Sequence, residues 1–191
     1  MRLFVALDIA AGIRERIAEF RNQIRQFAPD ARWVGPETFH VTLQFLGETK
    51  RLDEIQLTLR KVTGSPVTIA FRNIGFFPNA KSPRVFWIGI DADERLQQLA
   101  SSIAKALQPL GFEQNAGPFQ PHLTLARAGG GRPRSGLDNR SAAGLQKVRA
   151  KVETFPSLEF GTMTAREFYL YESKLSPAGA QYTKLSSYPL E

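Results

Sequence analysis

The chain has 191 residues, 42% of them hydrophobic and 23% charged, enough apolar material for the core of one domain or two small lobes. It contains no cysteine, which excludes disulfides, thiolate metal sites and a cysteine nucleophile. Lysine and arginine outnumber aspartate and glutamate by 25 to 18, and the resulting charge of +7, with a pI near 10.0, favours polyanionic partners such as nucleic acid.

In chain order, a strand is expected over residues 3–7, inside MRLFVALDIAAGIRER. One basic residue precedes this apolar run and Asp8 interrupts it, unlike a secretory signal. No stretch approaches the roughly 18 apolar residues of a membrane span, so a cytoplasmic protein without membrane association is expected. Ile13, Ile17, Phe20, Ile24 and Phe27 recur at spacings of three and four and predict the first amphipathic helix. A strand over 41–46 follows, then a helix marked by Leu52, Ile55, Leu59 and Val62, then strands over 66–74 and 85–90. The third helix carries Leu96, Leu99, Ile103 and Leu107, and a short strand spans 123–126. Residues 128–143, AGGGRPRSGLDNRSAA, read as a long mobile loop in which Arg132, Arg134 and Arg140 either sweep a phosphate backbone or belong to a solvated linker. Leu145, Val148 and Val152 predict a fourth helix, before strands over 158–163 and 167–171. This order describes an α+β or α/β arrangement with helices packed on sheets.

Slid against itself by 82 residues, the sequence places His40 on His122, Thr42 on Thr124, Arg2-Leu3-Phe4 on Arg84-Val85-Phe86, Ile17 on Leu99 and Gly47 on Gly129. One gap-free offset matching three regions points to internal duplication within a single unit spanning 1–191. Duplicated units usually assemble about a pseudo-two-fold axis, which would bring the two histidines face to face.

His40 and His122 are the only histidines, and each opens the same pattern, in FHVTLQFLGE and PHLTLARAGG: His, apolar, Thr, apolar. On a strand the His and the Thr two residues later share one face, while Val41 and Leu43, or Leu123 and Leu125, face a core. Two imidazoles suit acid–base work, since an ordinary pKa of about 6.5 lets one accept a proton while the other donates. The two hydroxyls add neutral donors for anionic oxygens. Phosphodiester cleavage needs that set. Acyl transfer fits worse, for there is no Gly-x-Ser-x-Gly elbow. The neighbours of the histidines are apolar residues, Thr, Gln and Pro, with Glu48 the one close carboxylate, so a metal-independent reaction without cofactor is expected. The triple glycine at 129–131 lacks the Lys-Ser/Thr of a phosphate loop.

RLFVALDI, FHVTLQFLGE, SPRVFWIG, FQPHLTLAR and YESKLSPAGAQYTKL together resemble the two-histidine (2H) phosphoesterase superfamily, and within it the RNA 2′,3′-cyclic phosphodiesterases, also called 2′-5′ RNA ligases. The resemblance implies a bilobal α+β fold with a duplicated antiparallel-sheet unit, and one motif on each side of a central cleft. It implies opening of a 2′,3′-cyclic phosphate at an RNA 3′ end to a 2′-phosphate, without metal or cofactor, by a protein expected to be monomeric. His40 would then be the proton donor and His122 the proton acceptor, an assignment the near-symmetric motifs leave open. Thr42 and Thr124 would hold phosphate oxygens, and Arg127, five residues beyond the second histidine, would neutralise the phosphate. Strict alternation puts Arg127 on the face opposite His122, so that role requires a bulge. Phe4 either stacks on a base or belongs to the core, and Trp33 and Trp87 face the same choice. Other readings are a non-catalytic RNA-end binding module, end joining through a 2′-5′ bond, or action on a small cyclic nucleotide.

Overall fold

In the computed structural model, residues 1–114, 117–129, 137–176 and 179–191 are described, with nine strands and four α-helices among them. The strands are β1 (Arg2–Leu7), β2 (Arg32–Trp33), β3 (Val41–Glu48), β4 (Val67–Phe77), β5 (Val85–Ala92), β6 (His122–Arg127), β7 (Glu159–Ala165), β8 (Glu167–Ser176) and β9 (Gly179–Pro189). The helices are α1 (Ala11–Ile24), α2 (Leu52–Leu59), α3 (Glu94–Leu107) and α4 (Leu137–Val152).

Two antiparallel sheets form, a first in the order β3-β1-β8-β9 and a second in the order β2-β6-β5-β4-β7. Alternation decides their faces. Leu3, Val5 and Leu7 of β1 are buried in the large core, whereas Phe4 and Ala6 join a separate small cluster with Tyr171. The helix stripes read from the sequence are the buried ones: Ile13, Ile17, Phe20 and Ile24 on α1, and Leu96, Leu99, Ile103 and Leu107 on α3. The sheets interlock, because α1 packs on β7 of the second sheet while α3 packs on β3 of the first.

The long loop expected over 128–143 is only partly so. Residues 130–136, with Arg132 and Arg134, lie outside the described residues, but from Leu137 the chain is already helical and Arg140 is an exposed residue of α4. Its small and polar residues form a close contact instead: Ser141 is buried and its Oγ donates to the Asp30 carbonyl at 2.7 Å, and a Cβ on Gly144 would lie 2.9 Å from Ala28. Composition alone does not distinguish such a contact from a linker. β2 and β9 were also missed, the first for its two-residue length and the second for its mostly polar, half-exposed sequence.

Candidate active site

His40 stands just before β3 and His122 opens β6, the two strands that approach each other between the sheets. The pairing around them repeats. Ala6 lies opposite Thr42 as Trp87 lies opposite Thr124, and Phe4 lies opposite Phe45 as Val85 lies opposite Arg127. Corresponding positions on β1 and β5 are therefore 81 residues apart, one fewer than between the histidines. Both ladders shift register at the same place, between Val5 and Ala6 in one and between Phe86 and Trp87 in the other. The shift on β6 makes Leu125 an extra residue, with Leu125 and Ala126 both buried. This is the bulge that Arg127 requires, and it returns that side chain to the face of His122 and Thr124.

Each imidazole is held the same way. His40 Nδ1 donates to the Thr38 carbonyl at 2.7 Å, and His122 Nδ1 donates to the Gln120 carbonyl at 2.7 Å. A carbonyl only accepts, so each neutral ring carries its proton on Nδ1 and presents an unprotonated Nε2. On the His40 side Arg14 of α1 tightens the support: its guanidinium donates to the carbonyls of Pro36 and Phe39, which bracket Thr38, and pairs with Asp8 at 2.6 Å. Lys184 of β9 takes the other oxygen of Asp8.

Aromatic rings floor both halves. Phe4 stacks on Tyr171 with centroids 5.1 Å apart, His40 lies 4.8 Å from Phe4, and Tyr182 meets His40 edge-on at 5.2 Å. At 4% exposure, with Tyr171 and His40 packed against it, Phe4 supports the imidazole from beneath rather than offering a face to a base. Trp87 sits 6.1 Å from His122, and Phe77 meets that imidazole edge-on at 5.0 Å. Trp33 turns away from the cleft, its indole N–H donating to the Ala28 carbonyl at 2.8 Å. Where one sheet pairs small Ala6 with large Tyr169, the other pairs large Trp87 with Gly75. The Trp87 ring fills the space of the missing side chain, since a Cβ on Gly75 would lie 2.1 Å from it. Gly75→Ala is therefore expected to cost about 1–3 kcal/mol by overpacking and to displace the ring behind His122. Urea unfolding followed by tryptophan fluorescence measures this, and an unchanged midpoint would show that the ring has room to move.

Electrostatics ties the halves together. His40 is held below the ordinary histidine value, first by burial and then by the positive charges of Arg127, His122 and Arg14, with the Thr38 hydrogen bond opposing. His122 is likewise lowered by burial first and by Arg127, against its bond to Gln120. Arg127 keeps an exposed surface, yet neighbours crowd its charge, and burial comes first among the causes that lower it; Tyr182 opposes and Arg32 adds. Burial keeps the Tyr182 hydroxyl protonated by raising its pKa, despite Arg127. Charges on both sheets thus act on one space. Thr42 and Thr124 are half-buried on the same faces as the histidines. Glu48 lies at the far end of β3, 3.6 Å from the N-terminal ammonium. Among the described residues no group of three or more His, Cys, Asp or Glu side chains could hold a metal ion, and no helix is long and apolar enough to cross a membrane.

The 2′-5′ RNA ligase superfamily model matches residues 10–172. The chain belongs to that superfamily. An RNA 2′,3′-cyclic phosphodiesterase of Archaeoglobus fulgidus is 36% identical over 97% of this chain and 98% of its own length, and one of Methanocaldococcus jannaschii is 32% identical over 95% and 96%. Among solved structures, that of E. coli LigT complexed with 3′-AMP superposes with a TM-score of 0.75 at 27% identity, covering 99% of this chain and 97% of the other. The two-lobed 2H phosphoesterase fold expected from the motifs is the fold observed. Tyr171, Tyr182 and Lys184 lie in the YESKLSPAGAQYTKL segment without any role following from it, and nothing in the sequence marks Phe77 or the Asp8–Arg14–Lys184 network. The alternating tyrosines of EFYLYES are a sign of the aromatic floor, whereas in the sequence Asp8 is no more than an interruption of an apolar run.

Proposed function

We propose that this protein hydrolyses 2′,3′-cyclic phosphate ends of RNA to 2′-phosphates, with His40 as acid and His122 as base. The observation that carries the reading is two imidazoles, each tied back through Nδ1, with free Nε2 atoms on opposite sheets and both subject to the charge of Arg127. His122 Nε2 takes a proton from water as its oxygen attacks phosphorus. The bond from phosphorus to the 3′ oxygen breaks, and that oxygen takes the proton carried by His40 Nε2, leaving a 2′-phosphate and a 3′-hydroxyl. Arg127 neutralises the non-bridging oxygens, and the Thr42 and Thr124 hydroxyls donate to them.

The assignment of acid and base follows the family resemblance; Phe4, Tyr171 and Tyr182 enclose His40, whereas His122 meets two rings and more solvent, the more open side for an attacking water. All these groups come from one chain, so a single copy suffices. The basic charge of the chain suits an RNA strand. With the LigT complexed with 3′-AMP and relatives named RNA 2′,3′-cyclic phosphodiesterase, these features support hydrolysis over a purely binding role. The test is incubation in EDTA with an oligonucleotide ending in a 2′,3′-cyclic phosphate. A 2′-phosphate end is the expected product, and absence of turnover on any cyclic phosphate would overturn the reading.

A further inference from the structure

Arg32 and Arg127 stand directly opposite each other, Arg32 on the two-residue edge strand β2 and Arg127 at the end of β6. Directly opposed residues of an antiparallel pair point to the same face, and like charges so placed are destabilising. Arg32 accordingly adds to the forces that lower Arg127. Neither guanidinium has an ion pair or hydrogen bond to another described residue. The backbone that carries Arg32 is anchored on its C-terminal side. Trp33 beside it is anchored by its indole hydrogen bond to Ala28 and packs edge-on against buried Phe86 at 6.1 Å, and the Val34 N–H donates to the Leu125 carbonyl at 2.8 Å. The fold thus holds two arginines at directly opposed positions on one face, their like charges acting on each other, an arrangement that an anion relieves.

We infer that Arg32 binds the phosphodiester preceding the cyclic phosphate, so that the RNA strand leaves the cleft over Arg127 and across the β2 edge. This rests on the hydrolysis reading for the place of the terminal phosphate at Arg127. In the order β2-β6-β5, Arg32 lies one strand further out than Arg127, and so one step beyond the terminal phosphate that Arg127 is proposed to hold. The favoured substrate is therefore an RNA end with at least one internal phosphate, rather than a nucleoside cyclic phosphate.

The discriminating quantity is the ratio of kcat/KM for a diuridine ending in a 2′,3′-cyclic phosphate to that for uridine 2′,3′-cyclic phosphate. Arg32→Ala is expected to lower this ratio about tenfold, the weight of one charge-assisted contact. Arg32→Lys is expected to keep most of it, and the salt dependence for the diuridine should lose about 0.7 in log–log slope in the alanine variant. A ratio unchanged in Arg32→Ala overturns the inference. Calorimetric binding of the diuridine 2′-phosphate against uridine 2′-phosphate gives the same ratio without turnover. A protein that hydrolyses nothing would therefore sink the hydrolysis reading while still deciding the role of Arg32. Arg32 is exposed and outside the core, so circular dichroism of both variants is expected to match the parent.

Discussion

His40→Asn or His122→Asn is expected to lower turnover of a cyclic-phosphate RNA end by about 10²–10⁴-fold, the usual weight of positioned acid–base catalysis. Asparagine is the informative replacement because its amide N–H can still donate to the Thr38 or Gln120 carbonyl that now receives Nδ1 at 2.7 Å. It keeps the anchor and deletes Nε2, so loss of rate reports lost proton transfer rather than a disordered strand. The double variant is expected to fall little below the worse single one, since an acid and a base serving one bond exchange act as a unit. Single-turnover rates with a 2′,3′-cyclic phosphate oligonucleotide measure this, alongside affinity for the same oligonucleotide ending in a 2′-phosphate. Either variant keeping more than about a tenth of the parental rate would end the case for paired histidine catalysis. Loss of affinity equal to the loss of rate would point to binding alone.

The residues that do the proposed chemistry were legible because they are rare types in a repeated local pattern. A strand fixes the relation of His to Thr two residues on, so period alone placed Thr42 beside His40 and Thr124 beside His122. Arg127 was legible only conditionally. Its face depends on an inserted residue at Leu125, and a bulge leaves no mark in composition when the extra residue is itself apolar. Both halves carry this bulge, so it does not explain why a gap-free offset found the histidines but misaligned the first strands by one; the path from Trp87 to Thr124 is one residue longer than that from Ala6 to Thr42. Phe4 shows another limit: its apolar character and its alternation with Leu3 and Val5 were plain, but its neighbours Tyr171 and Tyr182 arrive from strands more than 160 residues away. Contacts of that kind follow from sheet order, which nothing in the local pattern encodes. The clamp on the carbonyl behind His40 was hidden for a similar reason, since Arg14 acts through Pro36 and Phe39.

Arg127→Gln is expected to lower kcat/KM by about 10²–10³-fold, the scale set by deleting one preorganised donor to a developing negative charge. It should also move the pH profile, and the direction follows from the charges. Arg127 is among the causes holding both imidazoles below the ordinary value, and a nearby cation disfavours the protonated ring. Removing that cation raises both pKa values in the free protein. The acid then keeps its proton to higher pH, and the base needs a higher pH to lose its own. Both limbs of the kcat/KM bell should therefore shift upward. Arg127→Lys separates the two effects, because it keeps the charge and hence the pH profile while losing the planar fork that grips two phosphate oxygens. Substrate is expected to act in the same sense as the glutamine exchange: an anionic phosphate between the rings favours their protonated forms, so the bell for kcat should lie at higher pH than that for kcat/KM. A glutamine variant whose rate falls while both limbs stay in place would mean that the guanidinium grips phosphate without setting the protonation of the histidines. The low pKa would then rest on burial, the first of the causes acting on each ring, with His122 and Arg14 adding to it at His40.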